Sequence, residues 1–85
     1  MTPEMHSMKD YIEQKLVRPG VLVEEDTPLV SSGLIDSLAL TEVILKLGDI
    51  LALTIPASKV RPEDLDTLSR MFATAHKVGK PRPAR

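Results

Sequence analysis

The Asp36-Ser37 pair precedes a long apolar-rich segment, at a position that could be the start of a helix. A carboxylate there can cap the exposed N–H groups of the first helical turn. A serine in that turn presents its hydroxyl at the surface, where the positive end of the helix dipole favours an anion. The pair therefore fits two interpretations: a plain helix cap, or a hydroxyl placed to carry a phosphate ester.

Other reactive side chains do not come together at the spacing that enzyme sites require. His6 and His76 lie near opposite ends of the chain, without a nucleophile or metal ligands at motif spacing. The chain has no Cys, which excludes thiolate zinc sites and cysteine nucleophiles. The acidic run Glu24, Glu25 and Asp26 is better explained as a solvated loop than as a cation site. We therefore expect no enzyme activity and no bound metal.

The near-neutral net charge of -1 conceals an acidic body and a basic end. Residues 77–85 hold four basic and no acidic residues, whereas residues 1–76 hold seven basic and twelve acidic ones. An acidic body disfavours nucleic acid as the main partner and favours proteins with basic docking patches. The basic end, which contains Pro and Gly, predicts a disordered tail over 77–85 after a single domain of residues 1–76.

The length of 85 residues limits the chain to one small domain, which we expect to be monomeric. Its longest apolar-rich stretch, 43–55, is interrupted by polar residues, so no stable membrane insertion is expected. The first residues lack the basic start and apolar core of a signal peptide. Together with the absence of Cys, these features favour the cytoplasm.

Apolar spacing and helix-end signals predict an all-α domain with three long helices and one short helix. The first helix begins at Thr2 and ends at Arg18, where Pro and Gly follow. The second opens at Asp36, and the last is capped by Asp66. The short helix lies in the connection between these last two.

The connection between the first two helices, 19–36, is long for a compact domain. It contains so many apolar residues that we expect it to fold over the core. Near its end, Ser31, Ser32 and Gly33 predict a tight turn in which the glycine can adopt a positive φ.

The segment Gly-Leu-Ile-Asp-Ser-Leu at 33–38 resembles the attachment motif of the acyl carrier protein family. In that family, the serine of an Asp-Ser-Leu tripeptide carries 4'-phosphopantetheine. Ile55-Pro56 and the Asp-Thr-Leu at 66–68 also resemble family positions, after the second helix and at the start of the last one. The resemblance spans about residues 5–76 and implies a four-helix acyl-carrier-like bundle with a long loop between helices one and two.

The resemblance implies that Ser37 is the attachment site of 4'-phosphopantetheine, whose thiol carries an acyl or aminoacyl group as a thioester. Asp36 would cap the helix and assist docking of the phosphopantetheinyl transferase that modifies Ser37. The other implied partners are a ligase that loads the acyl or aminoacyl group and downstream acyl-processing enzymes. Leu38, Glu42 and Val43 are the residues that we expect to recognise partners.

The second helix differs from that of fatty-acid-synthesis carriers, in which it is usually strongly acidic. Here its body contains only Glu42 and Asp49 as acids, with Lys46 between them. The stretch 55–67 and the Ser-Gly-Leu-Ile-Asp-Ser sequence at 32–37 are similar to D-alanyl carrier proteins. This pattern favours a stand-alone carrier in a specialised biosynthetic pathway and leaves the cargo open.

Two other functions are also compatible with the sequence. The first is a non-carrier helical module that binds a partner through the second helix. The second is contact of the basic tail with nucleic acid or a membrane. Ser37→Ala separates the first from a carrier, because a simple adaptor tolerates the change and a carrier loses its function.

Overall fold

The computed structural model describes residues 1–82 and is mostly helical, with three α-helices and one small sheet in that range. Helix α1 spans Pro3–Tyr11, α2 spans Leu40–Leu51 and α3 spans Leu68–Val78. Strands β1, Leu53–Thr54, and β2, Lys80–Pro81, pair in antiparallel orientation.

Helix α1 begins where its sequence predicts. The Thr2 hydroxyl accepts a hydrogen bond from the N–H of Met5 at 3.1 Å, and Pro3 occupies the first helical position. The helical run continues as a π-helical turn, Ile12–Leu16. Val17 is already extended, so the run ends just before the predicted boundary.

The long loop between α1 and α2 packs over the core, as its apolar residues predict. Val23, Leu29 and Ile35 are all buried. The carboxylate of Glu13 fastens the first part of the loop, since it accepts hydrogen bonds from the N–H of Val23 at 2.7 Å and from Nζ of Lys9 at 2.8 Å. These bonds, the one from Lys9 most strongly, hold the pKa of Glu13 below its usual range.

The core lies where the three α-helices and the long loop meet. Helix α3 contributes a buried apolar stripe at helical spacing, which consists of Leu68, Met71, Phe72 and Ala75. The other buried apolar side chains come from the rest of the chain and are Met8, Ile12, Val23, Leu29, Ile35, Val43, Leu47 and Leu65. Within residues 1–82, no polar or charged residue is buried among them.

The predicted short helix is a single 3₁₀ turn, Pro62–Leu65, which follows another 3₁₀ turn, Ala57–Lys59. The N–H of Arg61 donates to the carboxylate of Asp64 at 3.0 Å and closes the start of the second turn. Four residues are too few to build a sequence of α-helical hydrogen bonds. The described range therefore contains three α-helices, and the four-helix bundle is not confirmed.

The two strands correct the expected all-α architecture. Ala52 adopts a left-handed backbone conformation, with φ of 54°, and reverses the chain after α2. Leu53 then runs so close to Gly48 that a Cβ on this glycine would lie 2.6 Å from the Leu53 carbonyl oxygen. A strand of two residues is too short to show the alternating pattern by which strands are recognised in a sequence.

The sequence predicts a disordered tail over 77–85, and the structure describes this segment through residue 82. Helix α3 continues to Val78, and β2 then pairs with β1. The guanidinium of Arg82 lies 3.0 Å from the carboxylate of Asp49 in α2. The segment through residue 82 thus contacts both β1 and α2. The last three residues of the predicted tail lie outside the described range.

We expect Gly48→Ala to lower the free energy of unfolding by about 1–3 kcal/mol, because its Cβ would press on the carbonyl of Leu53. In an unobstructed helix interior the same substitution raises stability by about 1 kcal/mol. Urea denaturation measures the difference. Thr41→Ala, at an exposed position of the same helix, is the control and should not destabilise the protein. A stabilised Gly48→Ala variant would contradict the close approach of Leu53.

Candidate functional site

Asp36, Ser37 and Leu38 form the turn that leads into α2. Oδ1 of Asp36 accepts a hydrogen bond from the N–H of Ala39 at 3.0 Å and so caps this turn, although the residue at the N-cap position of α2 itself is Ala39. The α-helix itself begins at Leu40, later than predicted. The delay arises because the turn closes with i→i+3 bonds, such as that from the N–H of Leu40 to the carbonyl of Ser37 at 3.4 Å.

The side chain of Ser37 is exposed to solvent. Within residues 1–82, its hydroxyl makes no hydrogen bond, and the backbone N–H groups of Ser37 and Leu38 donate to no acceptor. Unpaired N–H groups and the positive end of the α2 dipole stabilise an anion at this position. The turn thus presents an accessible hydroxyl beside unpaired N–H groups and the carboxylate of Asp36.

A second turn immediately before Asp36 is fixed by backbone hydrogen bonds. Gly33 has a φ of 82°, and its N–H donates to the carbonyl of Val30 at 3.1 Å, as the predicted tight turn requires. Ile35 is buried and donates its N–H to the carbonyl of Leu29 at 2.9 Å. The residue next to Asp36 is therefore anchored in the core.

The carboxylate of Asp66 holds this loop against the start of α3. Its Oδ1 accepts the N–H groups of Leu29 at 3.1 Å, Val30 at 2.8 Å and Ser31 at 2.9 Å. Its Oδ2 accepts the hydroxyl of Ser31 at 2.9 Å. These bonds, led by that from the N–H of Ser31, hold the pKa of Asp66 below its usual range although burial acts in the opposite direction. The N–H of Leu29 also donates to the backbone carbonyl of Asp66 at 2.7 Å, whereas within residues 1–82 the N–H groups of Val30 and Ser31 donate to the side chain alone.

The sequence predicts Asp66 as the N-cap of α3, and this prediction is wrong. Thr67 takes that position, and its Oγ1 accepts the N–H of Arg70 at 3.1 Å. Asp and Thr are both good cap residues, so the sequence does not decide between two adjacent candidates. Which residue caps α3 depends on the long loop. Its N–H groups, 35 to 37 residues away in the sequence, donate to the carboxylate of Asp66 and leave Thr67 as the cap.

Two large apolar side chains are exposed, one in the turn at Ser37 and one on α2. Leu38 is 85% exposed and Leu45 is 62% exposed, while Glu42, between them in the sequence, is exposed as well. Val43 is fully buried, so its predicted part in partner recognition is wrong. One step along a helix turns the side chain by about 100°, which takes Val43 from the outer side into the core.

A groove with a volume of about 380 Å³ opens beside Ser37, between the end of the first helical run and the start of α2. One wall comes from the π-helical turn and another from the loop, and the third comes from the turn at Ser37 and from α2. The lining residues are Lys15, Leu16, Gly33, Leu34, Asp36, Leu38, Ala39 and Glu42. The groove thus brings together Asp36, Leu38 and Glu42, three of the predicted site residues.

Tyr11 connects α1 to the polar side of α2. Its hydroxyl donates to Oε2 of Glu42 at 3.4 Å, and the ammonium of Lys46 lies 5.2 Å from the centre of its ring. Burial raises the pKa of Tyr11, and the charge of Glu42 raises it further. These contacts restrict Glu42 at the edge of the groove.

Lys15 is the groove residue that sequence reasoning misses. A lysine in the last turn of a helix is a common way to complement the helix dipole, so its type carries no specific signal. Only the packing of the π-helical turn beside Asp36 gives it a position near Ser37.

The two histidines do not line this groove. His76 borders a second cavity of about 420 Å³, whose apolar walls include Met5, Leu51 and Phe72. Because Leu51 is the last residue of α2, this cavity lies at the opposite end of the helix from Ser37.

Comparison of the chain with protein-family models, curated proteins and solved structures gives no match. In residues 1–82, no helix combines the length and the apolar character needed to cross a bilayer. The interpretation of the turn at Ser37 therefore rests on its own geometry and on the resemblance of its sequence to the carrier motif.

We expect Asp66→Asn to lower the free energy of unfolding by about 1–3 kcal/mol, because a neutral amide oxygen accepts the three loop N–H groups more weakly and the second acceptor, which binds the Ser31 hydroxyl, is replaced by an amino group. Urea denaturation provides the measurement. Asp26→Asn is the matched control, since this exposed acid of the same loop should change stability by less than about 0.5 kcal/mol. Equal effects of the two substitutions would show that the Asp66 bonds do not stabilise the fold.

Acid should destabilise the protein through the same carboxylate. The folded-state pKa of Asp66 lies below its unfolded value of about 4, so Asp66 stabilises the fold above that pH. This contribution is lost as the pH falls through the folded-state pKa, and Glu13 acts in the same direction. Tm measured against pH should therefore fall below about pH 4 in the wild type and less steeply in Asp66→Asn. Parallel profiles would argue against a role of Asp66 in acid unfolding.

Proposed function

We propose that this protein is a carrier that holds an acyl or aminoacyl group as a thioester on a 4'-phosphopantetheine arm attached to Ser37. The observation that carries the proposal is the turn at Ser37, which presents an exposed hydroxyl and unpaired N–H groups beside a capping carboxylate. The resemblance of 33–38 to the carrier attachment motif supports the same function. In this proposal the chain is a variant of the four-helix carrier bundle, with the 3₁₀ turn Pro62–Leu65 in the place of the short helix.

The surroundings of Ser37 fit a covalent phosphodiester. The N–H groups of Ser37 and Leu38 are free to donate to phosphate oxygens within the described range. The carboxylate of Asp36 is turned to the N–H of Ala39, so one of its oxygens is occupied by the cap. The exposure of both Ser37 and Leu38 leaves the hydroxyl open to the active site of a second protein.

Attachment requires Oγ of Ser37 to attack a phosphorus of the coenzyme A pyrophosphate. The Oγ–P bond forms, the bond from that phosphorus to the departing adenosine 3',5'-bisphosphate breaks, and the hydroxyl proton passes to a base. Within residues 1–82 no base is hydrogen-bonded to this hydroxyl, so we assign the base and the magnesium to a phosphopantetheinyl transferase. When attached, the arm supplies the thiol that holds the cargo.

The proposed partners are the transferase, a ligase that loads the acyl or aminoacyl group, and the enzymes that process the loaded group. Leu38 and Glu42 are exposed beside the attachment site and are the residues we assign to partner recognition. An exposed leucine next to a carboxylate suits a partner that combines an apolar contact with a basic one.

Intact mass after incubation with coenzyme A, magnesium and a promiscuous phosphopantetheinyl transferase tests the proposal. We expect one phosphopantetheine on the wild type and on Ser69→Ala, whose serine is exposed on α3. Ser37→Ala should gain none, while it keeps its fold because Asp36 still caps the turn.

Circular dichroism of Ser37→Ala separates loss of the hydroxyl from loss of the fold. Addition of the group to folded Ser37→Ala would move the attachment site elsewhere. Failure of several transferases to modify the folded wild type would overturn the carrier function.

A second candidate function is a helical interaction module that carries no prosthetic group. It is favoured by the exposure of Leu38 and Leu45, since large apolar side chains on a surface commonly mark protein contacts. Partner binding by such a module would survive Ser37→Ala and would be weakened by Leu38→Ser.

A further inference from the structure

We propose that the groove between the π-helical turn and α2 is the bed of the phosphopantetheine arm, and that Lys15 pairs with the phosphate of the arm. This inference rests on the proposed attachment at Ser37. It adds a fixed path for the arm and a residue that holds it.

The position of the groove supports this path. Asp36 and Leu38, the two neighbours of Ser37, both line it, so the groove lies within reach of a chain attached to the Ser37 hydroxyl. Its volume of about 380 Å³ lies within the range of small-molecule sites, about 300–1,000 Å³.

The charges of the groove make Lys15 the counter-ion of the phosphate. Lys15 is the single cation among the lining residues, and Asp36 and Glu42 are the two anions. Within residues 1–82 Lys15 forms no ion pair, so its exposed ammonium is available. A phosphodiester on Ser37 would add a third negative charge, which favours its pairing with Lys15.

The rest of the groove matches the remainder of the arm. Pantetheine contains two secondary amides, whose N–H groups need acceptors, and a pair of methyl groups. Glu42 offers a carboxylate acceptor that the hydroxyl of Tyr11 already contacts at 3.4 Å. Leu16 and Leu34 supply apolar walls for the methyl groups. The groove thus offers a cation, apolar surface and an acceptor to a ligand that carries a phosphate, methyl groups and amides.

The test uses the full, ¹⁵N-labelled chain, loaded with phosphopantetheine from coenzyme A and checked by intact mass. Amide shifts between the unloaded and loaded forms are recorded together with the ³¹P signal of the phosphodiester. We expect shifts at Lys15, Leu34 and Glu42 in addition to those next to Ser37. In Lys15→Ala and Lys15→Gln, the amide shift differences at the groove residues should fall roughly twofold, as expected for the loss of one exposed ion pair. The ³¹P line should narrow, because the phosphate is held less tightly.

Lys59→Ala is the matched control, because it removes the same charge from an exposed residue outside the groove. It should leave the groove shifts and the ³¹P line as in the wild type. The spectra of the unloaded variants show whether each one is folded. Lys15→Gln removes the charge but keeps most of the side-chain length, which Lys15→Ala does not.

Two results would overturn the groove path and leave the carrier function intact. In the first, the shifts on loading are confined to the neighbours of Ser37; in the second, they appear at the second cavity, around Leu51 and Phe72. Equal spectra for loaded Lys15→Ala and Lys59→Ala would overturn the role of Lys15. Absence of any mass gain in the wild type would overturn the carrier function and this inference together.

Discussion

The carboxylate of Asp66 is the interaction on which the arrangement around Ser37 depends. It gathers three successive N–H groups of the long loop and the hydroxyl of Ser31, and so joins the loop to the start of α3. A second bond, from the N–H of Ser69 to the carbonyl of Glu25, reinforces the same junction. Without these acceptors, the loop would have to leave partly buried N–H groups unsatisfied, which is costly.

The position of Ser37 follows from this junction through a short series of contacts. The N–H of Ile35 donates to the carbonyl of Leu29, whose own N–H is held by Asp66, and the side chain of Ile35 enters the core. The next two residues are Asp36, which caps the turn, and Ser37, which is left exposed. An accessible hydroxyl is thereby presented by an anchored backbone.

Local chemistry allowed much of this to be predicted from the sequence. Gly33 has the positive φ expected of the tight turn, Asp36 caps the turn before α2, and the apolar residues of the loop are buried. The parts that escaped prediction depend on distant neighbours. Asp66 accepts hydrogen bonds from donors 35 to 37 residues away instead of capping α3, and Arg82 lies beside Asp49, a contact that the composition of the basic end does not predict. The burial of Val43 was not predicted, because the side of α2 that faces the core depends on where the first turn of the helix closes.

Amide hydrogen exchange in the wild type and in Asp66→Asn tests most directly whether Asp66 positions the loop that presents Ser37. We predict that the amides of Val30 and Ser31, which donate to this side chain alone within residues 1–82, exchange slowly in the wild type and speed up together in the variant. The amides of α1 should change only as far as global stability changes. Loop amides that exchange rapidly in the wild type, or that keep their protection in Asp66→Asn, would contradict this account.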